Sequence, residues 1–254
     1  MVRIAEKYEL RYVLIAGTLL GAVRHAGFIP WDDDIDIALP RKDYEKLKSV
    51  MNKELSDKYY VHSIKNDKNY CWPYIKIRKH NTLFLENEKL RNRDHNGIFI
   101  DIFPLDKIKS PNCKKEKLKS YVIKKITEIL MLKSGIIIAK NITTRLAKIT
   151  IYNLWKITPI LFKPLVKIRE KLIILEEKRN FKYYCNLAGG YPMKKESQLI
   201  SDIFPAKKLS FENREYYVPK NYKKYLKTVY GENYMKLPPV EKRIEHNPVE
   251  VKFN

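Results

Sequence analysis

The chain has three cysteines in 254 residues, Cys71, Cys113 and Cys185, scattered and without CxxC spacing. An odd, dispersed set suggests neither a disulfide framework nor a cysteine zinc site, and it fits a reducing cytoplasm. Long apolar runs are missing as well. A bilayer span needs about 18 to 20 predominantly apolar residues, and lysine, arginine or polar residues interrupt each candidate in the middle of the chain. The opening MVRIAEKYELRYVLIAG puts acids ahead of any apolar core and shows no clear small-residue cleavage pattern, so it predicts a mature cytosolic start rather than a secretory signal. There is no internal repeat, low-complexity linker, zinc-finger spacing, glycine-rich RNA-recognition signature or obvious recognition helix, so nucleic acid is not expected as a partner.

Acids are scarce: 29 Asp and Glu stand against 51 Lys and Arg, a formal charge of +22. Such a field attracts anions, whether nucleic acid, anionic lipid or phosphorylated small substrates, but does not choose among them. Against that background residues 28 to 39, FIPWDDDIDIAL, concentrate Asp32, Asp33, Asp34 and Asp36. The length allows a substantial core, as one large domain or a domain with a helical appendage.

Apolar periodicity predicts a mixture of helices and strands. RYVLIAG, from residue 11, reads as a strand, Gly17-Thr18 as a tight turn, and LLGAVRHAG as a short helix ended by Gly27. After Pro30, DIDIAL alternates acid with aliphatic at the period of a strand. RKDYEKLKSVMNKEL spaces Tyr44, Leu47, Val50 or Met51, and Leu55 at helical intervals. Strands are predicted at 59–64, 72–79, 81–87 and 96–106. In the last of these Ile98, Ile100 and Ile102 point one way and Phe99, Asp101 and Phe103 the other, leaving Asp101 among aromatic neighbours. Residues 113–182 read as three or four Lys/Ile/Leu-rich helices broken near Gly135, Pro159 and Pro164. IFPAKKLSFENREYYVP then suggests a hairpin, YKKYLKTVYG a helix ending at Gly231, and the tail a mostly extended segment.

On a strand, acid–aliphatic–acid sets two carboxylates on one face about 6 to 7 Å apart, close enough to converge on one hard cation. Asp34 and Asp36 have that spacing, and Asp101 can enter from a neighbouring strand as a third ligand for one or two Mg²⁺. Such a platform suits phosphoryl transfer. The competing possibility is that Asp32 to Asp34 solvate a surface turn and Asp36 alternates outward on an edge strand. Gly17 and Thr18, between strand and helix, offer backbone N–H groups and a hydroxyl to a phosphate. Arg24 can clamp phosphate, with His25 a helix-terminal hydrogen-bonding group. Lys76 and Arg78 share one strand face and can pair with donor phosphates or form an ordinary basic edge. Trp31, Trp72, Tyr74 and Phe99 are aromatic candidates for walling a quaternary ammonium, or structural anchors.

The block GTLLGAVRHAGFIPWDDDIDIALPRKDYEKL, residues 17–47, resembles the LicD family of phosphocholine and related phospho-alcohol transferases, whose catalytic region also resembles fukutin-related proteins. GIFIDIFPLD and residues 218–246 extend the resemblance to both ends of the chain. It implies an α+β fold with a nucleotidyltransferase-like mixed β-sheet, flanking helices and an inserted helical segment. Gly17 and Thr18 would match the glycine–hydroxyl motif, Asp34 and Asp36 the paired Mg²⁺ ligands, and Asp101 the third carboxylate and candidate base. The donor would be CDP-choline or another CDP-alcohol, the acceptor a sugar hydroxyl on a glycan or lipid-linked polymer precursor, and CMP the leaving group. Tyr230, Tyr234, Lys242, Arg243 and His246 fall in the family-like tail and would close over the site or, for the tyrosines, pack in the core.

The expected organisation is a catalytic core at 1–112, a basic helical insertion at 113–182 and a C-terminal part at 183–254 completing the catalytic domain. Residues 124–178 alternate aliphatics with Lys and Arg, a pattern for peripheral contact with anionic membrane on the cytoplasmic face or for a helical subdomain with a basic outer side. Two rival functions use the same residues. A nucleotidyltransferase acting on a small molecule would leave pyrophosphate, and a non-catalytic membrane- or polymer-binding protein would need no magnesium.

Overall fold

The computed structural model describes the chain apart from residues 56, 68, 87–94, 134–140, 158–160, 175–179, 188, 244–246 and 254. It is an α+β fold around a mixed sheet. The sheet contains β1 (Val13–Leu14), β2 (Asp36–Pro40), β3 (Tyr59–His62), β4 (Ile75–Lys79) and β6 (Phe99–Ile108), in the order β1-β2-β6-β4-β3. β5 (Leu83–Leu85) lies outside it and pairs with β11 (Glu250–Lys252). Strands β2 and β6 run parallel while β4 meets β6 antiparallel. The ten-residue β6 is therefore the hub, and its far end, Asp106 to Ile108, pairs with β7 (Tyr183–Cys185), which pairs with β8 (Ser197–Leu199). Sequence from beyond residue 180 thus extends the sheet begun near residue 13.

Helix α1 (Val2–Lys7) and α2 (Ala16–Arg24) flank the sheet, and α3 (Arg41–Glu54) follows β2 at once. Tyr44, Leu47 and Met51, at intervals of three and four, are buried on α3 against the sheet, as the helical spacing predicts. The buried aliphatics of the strands complete this core, with Ile37 and Leu39 from β2, Ile75 and Ile77 from β4, and Ile102 from β6.

Three described helices lie in the middle of the chain: α4 (Lys114–Lys133), α5 (Ile142–Ile157) and α6 (Phe162–Ile174). The predicted breaks at Gly135 and Pro159 lie outside the described residues. Ile123 of α4 and Ile173 of α6 join Ile108, Cys185 and Met193 in one buried cluster, which seals the helices to the end of β6. The buried Arg169 of α6 donates to the Cys71 carbonyl and, at 3.3 Å, to Thr127 Oγ1 of α4. By contrast Ile142 and Leu146 of α5 are 74% and 59% exposed. No described helix is long and apolar enough to cross a membrane.

The C-terminal part adds the short helices α7 (Met193–Glu196) and α8 (Ile200–Ile203), the hairpin β9 (Lys207–Phe211) with β10 (Arg214–Val218), and α9 (Tyr222–Tyr230). Glu212 and Asn213 turn the hairpin with φ of 49° and 61°, the left-handed pair required by a two-residue connection that matches strand twist. Its tip grips the segment before the aspartates. Glu212 N–H donates to the Ala26 carbonyl at 3.0 Å, and Glu212 Oε1 accepts the Phe28 N–H at 3.0 Å.

Candidate active site

Strand register brings the chemistry together. Asp36 on β2 is directly opposite Asp101 on β6, and Asp101 is opposite Lys76 on β4, so the three form one row across adjacent strands. Opposed residues in a pleated sheet share a face. Lys76 Nζ lies 3.0 Å from Asp101 Oδ1 and donates to Oδ2 at 3.1 Å. It also sits 3.4 Å above the centre of the Phe99 ring, two residues back along β6. The predicted division of β6 is observed: Ile100 and Ile102 enter the main core, while Phe99 packs with Lys76 and Arg78 and Phe103 with Tyr74.

The paired acids are presented differently from the alternating-strand expectation. Strand β2 begins at Asp36, and Asp34 precedes it, although the ladder is already established at Ile35, whose carbonyl accepts the Asp101 N–H at 2.8 Å. The predicted turn at Gly17-Thr18 is likewise a helix. Ala16 takes φ of 48° and starts α2 immediately, placing both residues in its first turn. The buried Thr18 hydroxyl accepts the Asp36 N–H at 2.8 Å, so its observed contact positions the start of β2. Gly17 carries the Asp32 carboxylate against its α-carbon, where a Cβ would overlap it.

Two cavities meet at Asp34 and Asp36. One, of about 490 Å³, contains Lys76, Asp101, Trp72, Tyr74, Phe99 and Glu196 among its walls. The other, of about 890 Å³, contains Gly17, Arg24, Trp31, Asp32, Tyr230 and Tyr234. Both include Ala16 and Tyr191. The four aromatic candidates are therefore divided between compartments, with Trp31 apart from Trp72, Tyr74 and Phe99.

Concentrated negative charge dominates the junction. Loss of water, then Asp34, Asp101 and Asp32, drives the Asp36 pKa well above the usual carboxylate range, while Lys76 pulls it down. Burial pushes Asp101 up to about 6 against the opposing charge and hydrogen bond of Lys76, with Asp34 and Glu86 adding to the rise. Asp101 Oδ1 is buried and, among the described residues, accepts no aligned hydrogen bond despite the nearby ammonium. Among the described residues no three carboxylate, imidazole or thiol groups converge tightly enough to enclose a metal ion. Asp101, with one buried oxygen lacking a hydrogen-bond partner among the described residues, and the facing Asp36 are nevertheless a suitable hard donor set for Mg²⁺, which commonly takes one or two carboxylates and completes its shell with water and substrate phosphate.

Residues 9–131 match the sequence family described as LicD/FKTN/FKRP, nucleotidyltransferase domain. The chain is 29% identical to the lipopolysaccharide cholinephosphotransferase LicD of Haemophilus influenzae over 248 residues, covering 96% of this chain and 89% of that protein. Residues 9–131 are a LicD-type domain. It is also 31% identical to the ribitol 5-phosphate transferase FKRP of Mus musculus over 106 residues, 41% of this chain and 18% of that protein. The human ribitol 5-phosphate transferase FKRP matches at 31% over 72 residues, 28% of this chain and 13% of that protein.

Around this LicD-type domain the remaining candidates have distinct surroundings. Arg24 donates to the Tyr234 and Lys236 carbonyls at 3.1 and 3.4 Å and lies 5.9 Å from the Trp31 ring centre, so it both borders the larger compartment and ties down the tail. Burial lowers the pKa of His25, with the Arg24 charge adding to the effect. Arg243 stacks over Trp31 at 4.4 Å, bringing the tail across that compartment. His246 and the side chain of Lys242 lie outside the described residues. Arg78 is buried, donates to His62 Nδ1 at 3.0 Å and to the Gly97 carbonyl at 2.9 Å, and is not part of either cavity lining.

Sequence pattern missed Glu196 and Tyr191. They lie beyond the matched family segment and carry no recognisable spacing to the aspartates; the Gly189-Gly190-Tyr191-Pro192 turn signal was the available local clue.

Proposed function

We propose that the protein is a Mg²⁺-dependent transferase that moves phosphocholine or a related phospho-alcohol from a CDP-alcohol to a sugar hydroxyl of a cell-surface glycan or lipid-linked polymer precursor, releasing CMP. The observation that carries this proposal is the register of Asp36 and Asp101 at the junction of two cavities. A group-transfer enzyme must bring donor and acceptor to one reacting centre, and two compartments sharing an acidic junction provide that arrangement. The cholinephosphotransferase and ribitol 5-phosphate transferase activities named for its relatives support phospho-alcohol transfer as the reaction class.

Asp34, Asp36 and Asp101 are the proposed metal-holding residues. Bound Mg²⁺ would supply charge neutralisation at the pyrophosphate and leaving phosphate. Lys76 favours ionised Asp101 and adds positive charge beside it. Gly17 and Thr18, in the first turn of α2, offer the positive end of a nine-residue helix to a donor phosphate. Arg24 borders the compartment with Trp31 and can meet an anionic part of a substrate. We assign Arg78 to support of the strand face beneath Phe99, because its guanidinium is already committed to buried partners.

Peripheral attachment to anionic membrane on the cytoplasmic face is part of the proposal. The exposed Ile142 and Leu146 on α5, in a chain of high positive charge, support it because aliphatics can enter a lipid interface while basic side chains meet headgroups. Incubation with Mg²⁺, CDP-choline, CDP-ethanolamine, CDP-glycerol or CDP-ribitol, and a panel of glycan precursors tests the reaction. CMP together with a phospho-alcohol-modified glycan is expected; pyrophosphate release or failure with all donors overturns the assignment.

A further inference from the structure

Asp101 is poorly placed to accept a proton from the acceptor, because Lys76 engages its carboxylate and Mg²⁺ would compete for the same oxygens. The smaller cavity contains another carboxylate. Glu196 stands at the end of α7 and lines this cavity beside Asn186, Gly189, Gly190 and Tyr191, together with Asp34, Asp36 and Asp101.

Its local geometry combines anchorage with availability. Glu196 Oε1 accepts the Tyr191 N–H at 2.9 Å, while no hydrogen bond to Oε2 is present among the described residues. The carboxylate lies flat against Gly189, where a Cβ would overlap it. Lys124 of α4 donates to the Tyr191 carbonyl at 2.7 Å, so both backbone polar groups of Tyr191 are held. A base fixed through one oxygen and open at the other retains orientation without losing its proton-accepting site.

We propose that Glu196 is the general base that activates the acceptor sugar hydroxyl. This assignment rests on the transferase function proposed above. Glu196 Oε2 takes the hydroxyl proton as the sugar oxygen forms a bond to the phosphorus carrying the alcohol. The bond from that phosphorus to the oxygen bridging it to CMP breaks, and its electron pair leaves with CMP. The proton then passes from Glu196 to water at the open mouth of the cavity.

The electrostatic surroundings suit that cycle. Burial pushes the carboxyl up to about 7, partly opposed by the Tyr191 N–H and the Lys124 charge. The titratable groups facing it from neighbouring elements include Lys124 of α4, Cys185 of β7 and Tyr225 of α9, with Tyr191 in its own loop. Near neutrality such a carboxylate accepts a proton more readily than an ordinary exposed glutamate.

Initial rates and melting temperatures of the full chain, Glu196→Gln and Gly189→Ala test the role between pH 5.5 and 9. The assay uses Mg²⁺ and the fastest CDP-alcohol and glycan pair from the panel above. Wild-type kcat is expected to rise through a limb centred near 7. Glu196→Gln should lower kcat by about 10²- to 10⁴-fold and erase that limb, with donor KM unchanged and the melting temperature not lowered, because the amide oxygen still accepts the Tyr191 N–H and the buried charge is gone. Gly189→Ala should reduce kcat by displacing the carboxylate. Wild-type kcat in Glu196→Gln overturns the base assignment while leaving the transferase intact. Loss of kcat with the pH limb preserved also overturns it. Absence of CMP release by the wild type with every pair overturns the transferase proposal and the base role with it.

Discussion

Lys76 Nζ and Asp101 Oδ1 are 3.0 Å apart on neighbouring antiparallel strands, with their α-carbons in register. The cation counters the burial of a carboxylate that already carries a pKa of about 6. Lys76→Gln removes that counterweight and raises the Asp101 pKa further. Its protonated fraction then increases between pH 6 and 7, and activity should fall more steeply towards acid than in the wild type. The Mg²⁺ concentration for half-maximal rate should rise about tenfold, corresponding to about 1.4 kcal/mol of lost metal binding. Mg²⁺ titrations at pH 6.5 and 8 measure both effects, and equal Mg²⁺ dependence in the two proteins contradicts the proposed role.

Asp36 should display a conflict between stability and activity. Its charge is opposed by loss of water and by Asp34, Asp101 and Asp32. Asp36→Asn relieves that repulsion and should melt higher than the wild type in the absence of Mg²⁺, by about 2 to 4 °C for each kcal/mol relieved. The same variant should lose nearly all CMP release. Mg²⁺ should raise the melting temperature of the wild type and leave that of Asp36→Asn much less changed, because binding to the native state stabilises it. Thermal melts with and without Mg²⁺ measure this reversal.

The buried pair beneath the site should be structural. Arg41 Nε and Nη2 donate to Asp106 Oδ1 and Oδ2 at 2.7 and 3.0 Å, joining the first turn of α3 to β6 five residues beyond Asp101. Asp106→Ala leaves a buried guanidinium without its bidentate partner, and should cost about 3 to 5 kcal/mol. Urea unfolding measures that loss. A cost below about 1 kcal/mol contradicts the assignment.

His95 supplies a pH-dependent contribution away from the acidic junction. Gly97 N–H donates to His95 Nδ1 at 3.1 Å, and His95 Nε2 lies 2.9 Å from His80 Nδ1. Burial, followed by the His80, Arg78 and His62 charges, lowers the His95 pKa from 6.5 to about 4. The unfolded chain consequently binds more protons at this residue between those values. Its contribution to stability is present above about 6.5 and is lost as pH falls towards about 4. His95→Gln should flatten the fall in unfolding free energy between pH 7 and 5; an identical pH slope in the variant contradicts this account.

The local chemistry was legible where one segment contains both the functional groups and their periodicity. Asp34 and Asp36 stand in one short stretch, and the alternating aliphatics of 96–106 isolate Asp101 on the opposite strand face. Helix α3 and the 207–218 hairpin are similarly local, because side-chain spacing and turn residues specify them. The turn expected at Gly17-Thr18 was less legible. Whether a left-handed residue begins a turn or a helix depends on what receives the following backbone, here including Asp36 N–H at the Thr18 hydroxyl.

The sequence by itself determined the acidic and basic groups, the apolar periods that orient them, and a family resemblance strong enough to imply the α+β core. Only tertiary structure decided that Asp101 faces Asp36 on one side and Lys76 on the other, that the aromatic candidates divide between two cavities, and that Glu196 shares the smaller one. The physical reason is strand pairing. Backbone hydrogen bonds between distant segments bring into one row side chains separated by 65 and 25 positions, and no local period records that registry.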